Sequence, residues 1–321
     1  MKYILDKLEN SHNYIYTYVC NAEERSLCHL EMRSFFGHDS QKNVIKSNVK
    51  IDPSRSPFIK ERIDILFEGE TLSDILLHAE NIHMHDETFR VVFIKINDLD
   101  KEEKIEYQER LKIERDVGWR INGKADLRKP RQIFGVGVFE DRWYLGKYTK
   151  SEAVWLRHLK KPREYSTALS TRVARAAANI AVPHPAGKKA IDPCCGIGTV
   201  LVEALSMGID IIGRDINPLV TNGSRENIAY FGLTGDVTTG PISEINEYFD
   251  AAIIDMPYNL YTHATPESQL SILKHARRIA AKAVIITIDN IDDMADEAGF
   301  IISDRCVAKK GLFERQILVC I

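Results

Sequence analysis

Beyond residue 189 the chain alternates short apolar runs with amphipathic stretches, and four of the apolar runs close on a carboxylate. Strand-like runs at 189–193, 210–216, 233–237, 250–255 and 283–289 are separated by helical patterns at 199–207, 218–231, around 242–248, and at 266–281. Strands that alternate with helices pair in parallel through right-handed crossovers, and in an open sheet of that kind the carboxyl ends of the strands line the ligand crevice. Asp192, Asp215, Asp236 and Asp255 therefore fall, in chain order, at strand ends expected on one edge. The pattern changes at the end. Two strand-like runs at 300–309 and 313–321, joined by Lys310-Gly-Leu, have no helix between them and predict an antiparallel last strand.

The first carboxylate opens a tight turn, Asp192-Pro-Cys-Cys-Gly-Ile-Gly-Thr199. Glycines at 196 and 198 let the backbone pass close to a ligand, and a carboxylate at the strand end accepts hydrogen bonds from that ligand's polar groups. A Gly-x-Gly turn alone is a weak signal. What strengthens it is Asp215, roughly 20 residues on, where doubly wound folds hold ribose hydroxyls. A dinucleotide dehydrogenase would carry a third glycine at position 201 and a parallel last strand, but Leu201 stands there and the chain ends in a hairpin.

These motifs, Asp-Pro-x-x-Gly-x-Gly-x-x-x-x-Glu-Ala at 192–204, Gly-x-Asp-Ile-Asn-Pro at 213–218 with Asn227 downstream, Gly235-Asp236, and Asp255-Met-Pro-Tyr258, resemble the S-adenosylmethionine-dependent methyltransferases that modify amino groups. Within them the chain is most similar to the THUMP-domain tRNA guanosine-N2 methyltransferases, whose lead-in helix the segment 163–179 also resembles. The family tetrapeptide is usually Asp-Pro-Pro-Tyr, and here Met256 takes the place of the first proline. The resemblance implies an α/β fold, a Rossmann-like methyltransferase sheet preceded by an α+β THUMP-like region, with S-adenosyl-L-methionine as cofactor. It implies that Asp192, Pro193, Cys194, Gly196, Gly198 and Thr199 surround the methionine moiety, that Asp215 holds the ribose and Asp236 the adenine amine, and that Ile216 and Val237 flank the adenine ring. The base to be methylated falls to Asp255, Met256, Pro257 and Tyr258. An exocyclic amine is a poor nucleophile because its lone pair is drawn into the ring. In the family, the motif's first side chain and the carbonyl after it, here Asp255 and Met256, accept its hydrogens and Tyr258 stacks on the base, a gain of positioning and preorganised electrostatics.

The net charge of −3 is unevenly spread. Residues 104–163 carry 16 Lys and Arg against 8 Asp and Glu, together with all three tryptophans, Trp119, Trp143 and Trp155. Basic side chains interleaved with flat rings suit phosphates and unpaired bases, so structured RNA, with tRNA foremost, is the expected partner. The bland alternative is a solvated face with tryptophans in the core. DNA amino-methyltransferases, protein-glutamine methyltransferases and a catalytically silent RNA-binding protein are the competing functions. The six cysteines form no C-x-x-C pair and no metal spacing, no run reaches membrane-spanning length, and no signal peptide opens the chain, which together predict a cytoplasmic protein without a metal.

Upstream, a strand at 14–20 with alternating burial and a helix at 22–36 open the expected N-terminal domain, 1–155. A loop at 41–56, a strand and helix over 59–81, surface histidines His83 and His85, a strand at 89–96, and a helix at 102–123 stopping at Asn122-Gly123 follow. A hairpin, 131–139 and 142–147 about Glu140-Asp141, closes that domain. A linker at 156–165 then leads to the catalytic domain, 166–321.

Overall fold

The computed structural model describes residues 13–96, 105–164, 168–257, 265–310 and 313–321. These fall into two compact units, and no single cut in the chain separates them. One unit takes residues 1–19, 40–54 and 58–152, and the other takes 20–39, 55–57 and 153–321.

The first unit is a seven-stranded sheet built from β1 (Tyr14–Tyr18), β2 (Val44–Ser47), β3 (Ile59–Gly69), β4 (His83–Phe93), β5 (Asn122–Ala125), β6 (Gln132–Phe139) and β7 (Arg142–Lys150), in the order β2-β1-β3-β7-β6-β4-β5. Helices Leu72–Ala79 and Tyr107–Arg120 bury Ile75, Ala79, Ile113 and Val117 against Phe89, Val91, Phe134, Val136 and Leu145. The first of these helices starts where Thr71 and Asp74 form a reciprocal capping box. The β6–β7 hairpin turns at Glu140 and Asp141, whose φ values of 50° and 57° are those of a type I′ turn.

Three expectations change here. β1 is buried at all five positions rather than alternately, because β2 and β3 flank it and Tyr16 Oη both donates to Val49 O and accepts from Ile51 N, each at 2.8 Å. The expected loop at 41–56 contains β2, four residues paired with β1. The Gly123 stop signal is instead part of an edge strand parallel to β4: a Cβ there would lie 2.5 Å from Met84 Cβ, so glycine permits the close approach of β5.

The second unit holds β8 (Lys189–Asp192), β9 (Asp210–Asp215), β10 (Val237–Thr239), β11 (Phe249–Asp255), β12 (Ala280–Thr287), β13 (Ile302–Lys310) and β14 (Phe313–Cys320). Their order is β10-β9-β8-β11-β12-β14-β13, parallel throughout except for β14, which runs antiparallel to both its neighbours. The chain thus reverses direction between β8 and β11, the topological switch point at which open α/β sheets bind ligands. On one face Ile191, Ala252, Ile254, Met256, Ile285 and Leu318 pack with Leu273, Ala276 and Ile279 of helix Pro266–Ile279. The helix expected around 242–248 is a single 3-10 turn, Ile242–Glu244, and helix Asp292–Glu297 was not anticipated.

The largest change concerns helix Arg25–Phe36, expected in the N-terminal domain but belonging to the second unit. Leu27, Cys28, Leu30, Met32 and Phe35 are all buried. The Arg33 guanidinium makes a two-pronged pair with Asp304 of β13 at 2.8 and 2.9 Å. Glu31, fully buried, accepts from Ser56 Oγ at 2.5 Å and Asn179 Nδ2 at 2.8 Å, and burial pushes its carboxyl up to about 7. Part of the expected linker belongs here too. Residues Val154–Leu159 form 3-10 turns that bury His158, whose Nδ1 lies 2.7 Å from Glu203 Oε1, while Arg175 Nη1 donates to Glu203 Oε2 at 2.6 Å.

Candidate active site

Three strand ends converge on the carboxyl edge of the second sheet. Asp192 ends β8, level with Gly213 of β9, and β9 runs two residues further to Asp215, while β11 ends at Asp255. Between β8 and the helix Thr199–Ser206 the chain makes its turn at Gly196 (φ 50°) and Gly198 (φ 77°), both in the left-handed region that favours glycine. A Cβ on Gly198 would meet Ser224 Oγ at 2.2 Å, so this glycine also admits helix Pro218–Tyr230. At Gly196, by contrast, a Cβ would meet nothing within 4 Å: the backbone there faces open space.

The turn is fastened at several points. Cys195 N donates to Arg214 O at 3.0 Å, Gly198 N to Cys195 O at 2.8 Å, and Gly196 N to Asp215 Oδ2 at 2.9 Å, so the two carboxylate-bearing strands are tied through the turn itself. Asn227, fully buried, donates to Ile197 O at 2.9 Å and to Arg163 O at 3.0 Å and accepts from Arg163 N at 3.0 Å. Its place in the sequence motif was the only hint of this role. Gln269, which no motif signalled, donates to Pro257 O at 2.9 Å and holds the segment after β11.

Electrostatically the edge is costly. Asp192 is 3 % exposed and accepts from Cys194 N at 3.2 Å. Burial, reinforced by the neighbouring Asp255 and Asp215, holds its carboxyl well above the usual range. Burial likewise pushes the Cys194 and Cys195 thiols up, with nearby carboxylates adding to it, so neither is a thiolate nucleophile. Asp255 is pushed up to about 7 by burial, opposed by the charge of Arg315, and its Oδ1 is buried without a hydrogen-bond partner among the described residues. Thr199 Oγ1 is a second such atom, in the first turn of its helix. Met256 is 1 % exposed and continues the ladder by donating from its backbone N to Ile286 O at 2.8 Å, so the missing proline leaves the strand end ordered. Pro193 is buried and Pro257 half-buried, and Ile216, 73 % exposed, stands beside Asp215. Tyr258 lies outside the described residues.

Asp236 and Val237 fall short of Asp215: Val237, paired with Gly213, is level with Asp192 and two residues below the end of β9. Val237 is the first residue of β10, not the last, and Asp236 precedes it, its carbonyl accepting from Gly213 N at 2.8 Å in the body of β9. The strand begins four residues later and ends two later than its apolar content suggests, because Thr238 and Thr239, polar but β-branched, make the pairing. The true end of β10 is Thr239, level with Asp215, followed by Gly240, whose N donates to Asp215 O at 2.9 Å.

Among the described residues no group of three or more His, Cys, Asp or Glu could hold a metal ion, and no helix is long and apolar enough to cross a membrane. Residues 158–292 match the family UPF0020: RMKL-like, methyltransferase domain. The tRNA (guanine(10)-N2)-dimethyltransferase of Methanothermobacter thermautotrophicus is 31 % identical over 144 residues, 43 % of each chain. The mouse U6 snRNA (guanine-N(2))-methyltransferase THUMPD2 is 31 % identical over 159 residues, 46 % of this chain and 28 % of that one. The crystal structure of TrmN from Thermus thermophilus superposes with a TM-score of 0.47 and 16 % identity over 96 % of this chain and 99 % of that one. The chain spans about half or less of the length of the curated relatives it matches. Residues 158–292 of the second unit, carrying the glycine turn, Asp215 and the Asp255 strand end, are thus the part of the chain that matches the UPF0020, RMKL-like methyltransferase domain.

Proposed function

We propose that this protein transfers a methyl group from S-adenosyl-L-methionine to the exocyclic amine of a nucleobase in RNA, N2 of a guanosine, with tRNA as the substrate class. The observation that carries the reading is the buried Oδ1 of Asp255, without a partner among the described residues, at the end of the strand beside the switch point. A buried acceptor left open is costly unless something arrives to fill it. An amine hydrogen does so.

The residues at the turn fit the cofactor. The open space before Gly196, the buried carboxylate of Asp192 behind it and the buried hydroxyl of Thr199 suit the amino-acid end, with Pro193, Cys194 and Gly198 shaping the turn. Asp215 presents its carboxylate at the same edge for ribose hydroxyls, with exposed Ile216 as an apolar surface for the base. When bound, the sulfonium supplies the electrophilic methyl. The chain's own part is positional: Asp255 accepts one amine hydrogen, the Met256 carbonyl a second, and Asp255 takes the proton released as nitrogen becomes cationic. In the first unit, Trp119 is 76 % exposed with the Arg115 guanidinium 5.2 Å from its ring centroid, a pairing suited to an unstacked base beside a phosphate. Cys28, Cys194, Cys195, Cys306 and Cys320 are all unbridged, which suits a reducing compartment, and the cytoplasm is the proposed location.

Nucleoside mass spectrometry of tRNA from cells with and without the gene, together with transfer of labelled methyl to purified tRNA, ribosomal RNA and DNA, tests this. The expected result is N2-methylguanosine lost from tRNA alone. Label in DNA, or in no nucleic acid, overturns the reading.

A further inference from the structure

We propose that Arg315, in the last strand of the second unit, is a positioning residue for Asp255: its guanidinium is the counter-charge that keeps this carboxylate able to accept the hydrogens of the substrate amine. The inference rests on the role given to Asp255 above.

Strand register places the two groups. Asp255 of β11 is level with Ile286 of β12, and Ile286 is level with Ile317 of β14. Residues level across a sheet point to the same face, as do residues two apart along a strand. Arg315 therefore shares the face of Asp255, and because β14 runs antiparallel it lies nearer the crevice than Ile317. Two strand spacings and one pleat repeat put the two Cα atoms roughly 12 Å apart, a gap that an arginine and an aspartate span with their side chains. Nothing of β12 stands level with Arg315, because β12 ends at Thr287, paired with Gln316. Its partner on β13 is Ala308, a bare methyl.

The charge pattern gives the arrangement its purpose. Among the described residues, the titratable neighbours of Asp255 are Asp192 of β8 and Cys194 of the turn, whose own protons its charge helps to hold, and Arg315 of β14, whose charge acts on Asp255 itself. Burial favours a protonated Asp255, and the cation opposes it. A protonated carboxyl keeps one acceptor oxygen but presents an O–H donor on the other, and it cannot take up the proton the amine releases. Without its cation, Asp255 would hold its proton through neutral pH and meet the amine with the wrong group.

The test labels aspartate Cγ with carbon-13 in the full chain, assigns Asp255 through Asp255→Asn, and titrates it by NMR in wild type, Arg315→Gln and Arg315→Lys without ligand. Arg315→Gln raises the midpoint by on the order of one pH unit, and Arg315→Lys stays near wild type. The acid limb of kcat for methyl transfer to RNA moves by the same amount, while KM for S-adenosylmethionine stays within about twofold. An unmoved midpoint in Arg315→Gln, an equal rise in both variants, or a moved midpoint with an unmoved acid limb overturns the proposal. Loss of the fold in both Arg315→Gln and Arg315→Ala overturns it as well, since a residue acting on one charge at a crevice is not needed for folding. A chain that titrates as expected but methylates nothing loses the methyl-transfer reading and keeps the counter-charge, so the two failures are distinguishable.

Discussion

Each unit of this molecule buries charge in a seven-stranded sheet, and the two treat it in opposite ways. In the first, Arg62 of β3 donates to Asp64 at 2.5 and 3.3 Å and to Ile51 O at 2.7 Å, and Lys50 reaches the same carboxylate at 3.3 Å. Glu61 accepts from Tyr148 Oη at 2.7 Å and Thr17 Oγ1 at 3.1 Å. In the second, strand pairing brings Asp192, Asp215 and Asp255 to within two residues of one level at the carboxyl edge, and Asp255 Oδ1 has no donor among the described residues. Satisfied buried charge fixes a fold, whereas unsatisfied buried charge is retained only where chemistry repays it. The same second unit satisfies Glu203 with Arg175 and His158 away from that edge, so the contrast follows position in the sheet and not the unit as a whole.

The sharpest way to break this contrast is to neutralise one carboxylate of each kind. Asp255→Asn is expected to lower methyl transfer by about 10²–10³-fold with cofactor affinity nearly unchanged. It is also expected to stabilise the protein in a pH-dependent way. The folded carboxyl of about 7 lies above its ordinary value of 3.8, so its stabilising contribution is full below about 4 and lost as pH rises through 7. The Asn variant escapes that loss, and its Tm exceeds wild type by a few degrees at pH 8 but not at pH 4. Asp64→Asn in the first unit leaves Arg62 buried without its counter-ion and costs about 3–5 kcal/mol. Calorimetric melts of both variants decide the matter: a stable Asp64→Asn or a destabilised Asp255→Asn at pH 8 removes the distinction.

Asp215 stands between the extremes, since its carboxylate is partly accessible and already accepts from Gly196 N and, at 2.9 Å, from Asn217 N. Asp215→Ala removes charge-assisted hydrogen bonds to ribose worth about 1.5–3 kcal/mol, which predicts a 10–100-fold weaker cofactor Kd by calorimetry. A change under threefold would mean that Asp215 serves only to tie the turn.

Trp119 sharpens the comparison from the other side, because the first unit displays its candidate binding group at the surface instead of burying it. Trp119→Ala is expected to weaken RNA binding about fivefold, the equivalent of about 1 kcal/mol of stacking, without moving the melting temperature. A structural tryptophan would do the reverse. Trp143, in the same basic stretch, packs edge-on to Phe93 at 6.4 Å and lies half-buried against the core cluster, so charge and aromatic content could not tell the two apart in the sequence.

What the sequence made legible was whatever rests on local periodicity and short-range chemistry. The strand, turn and helix around Gly196, the antiparallel β14 and the hairpin at Glu140-Asp141 all follow from patterns a few residues long. Illegible were the features set by distant partners. Helix Arg25–Phe36 has an ordinary amphipathic pattern, and nothing in it announces that Arg33 pairs with Asp304, 271 residues away. β2 and β5 are four residues each and owe their existence to β1 and β4 alongside them. The Arg315 register lies in the pairing of β14 with β12, and spacing within one strand carries no trace of it.

The smallest expected effect falls at Asp236, which the Gly-Asp pattern offered as the adenine contact. Its side chain is exposed at the start of β10, and its carbonyl is engaged by Gly213 N in the middle of the neighbouring strand. The edge that Asp215 occupies is reached by β10 only at Thr239, whose hydroxyl lies 2.8 Å from that of Thr221. Asp236→Ala should therefore leave cofactor affinity and methyl transfer within about twofold of wild type, as exposed substitutions away from such features do. Thr239→Val, which deletes the one side-chain hydroxyl β10 carries to that edge, is expected to weaken the cofactor more than Asp236→Ala does. Isothermal titration of the two variants side by side settles which residue ends the strand in function as well as in form. A large loss at Asp236 with none at Thr239 would restore the pattern-based assignment and require β10 to slide by three residues when the cofactor binds.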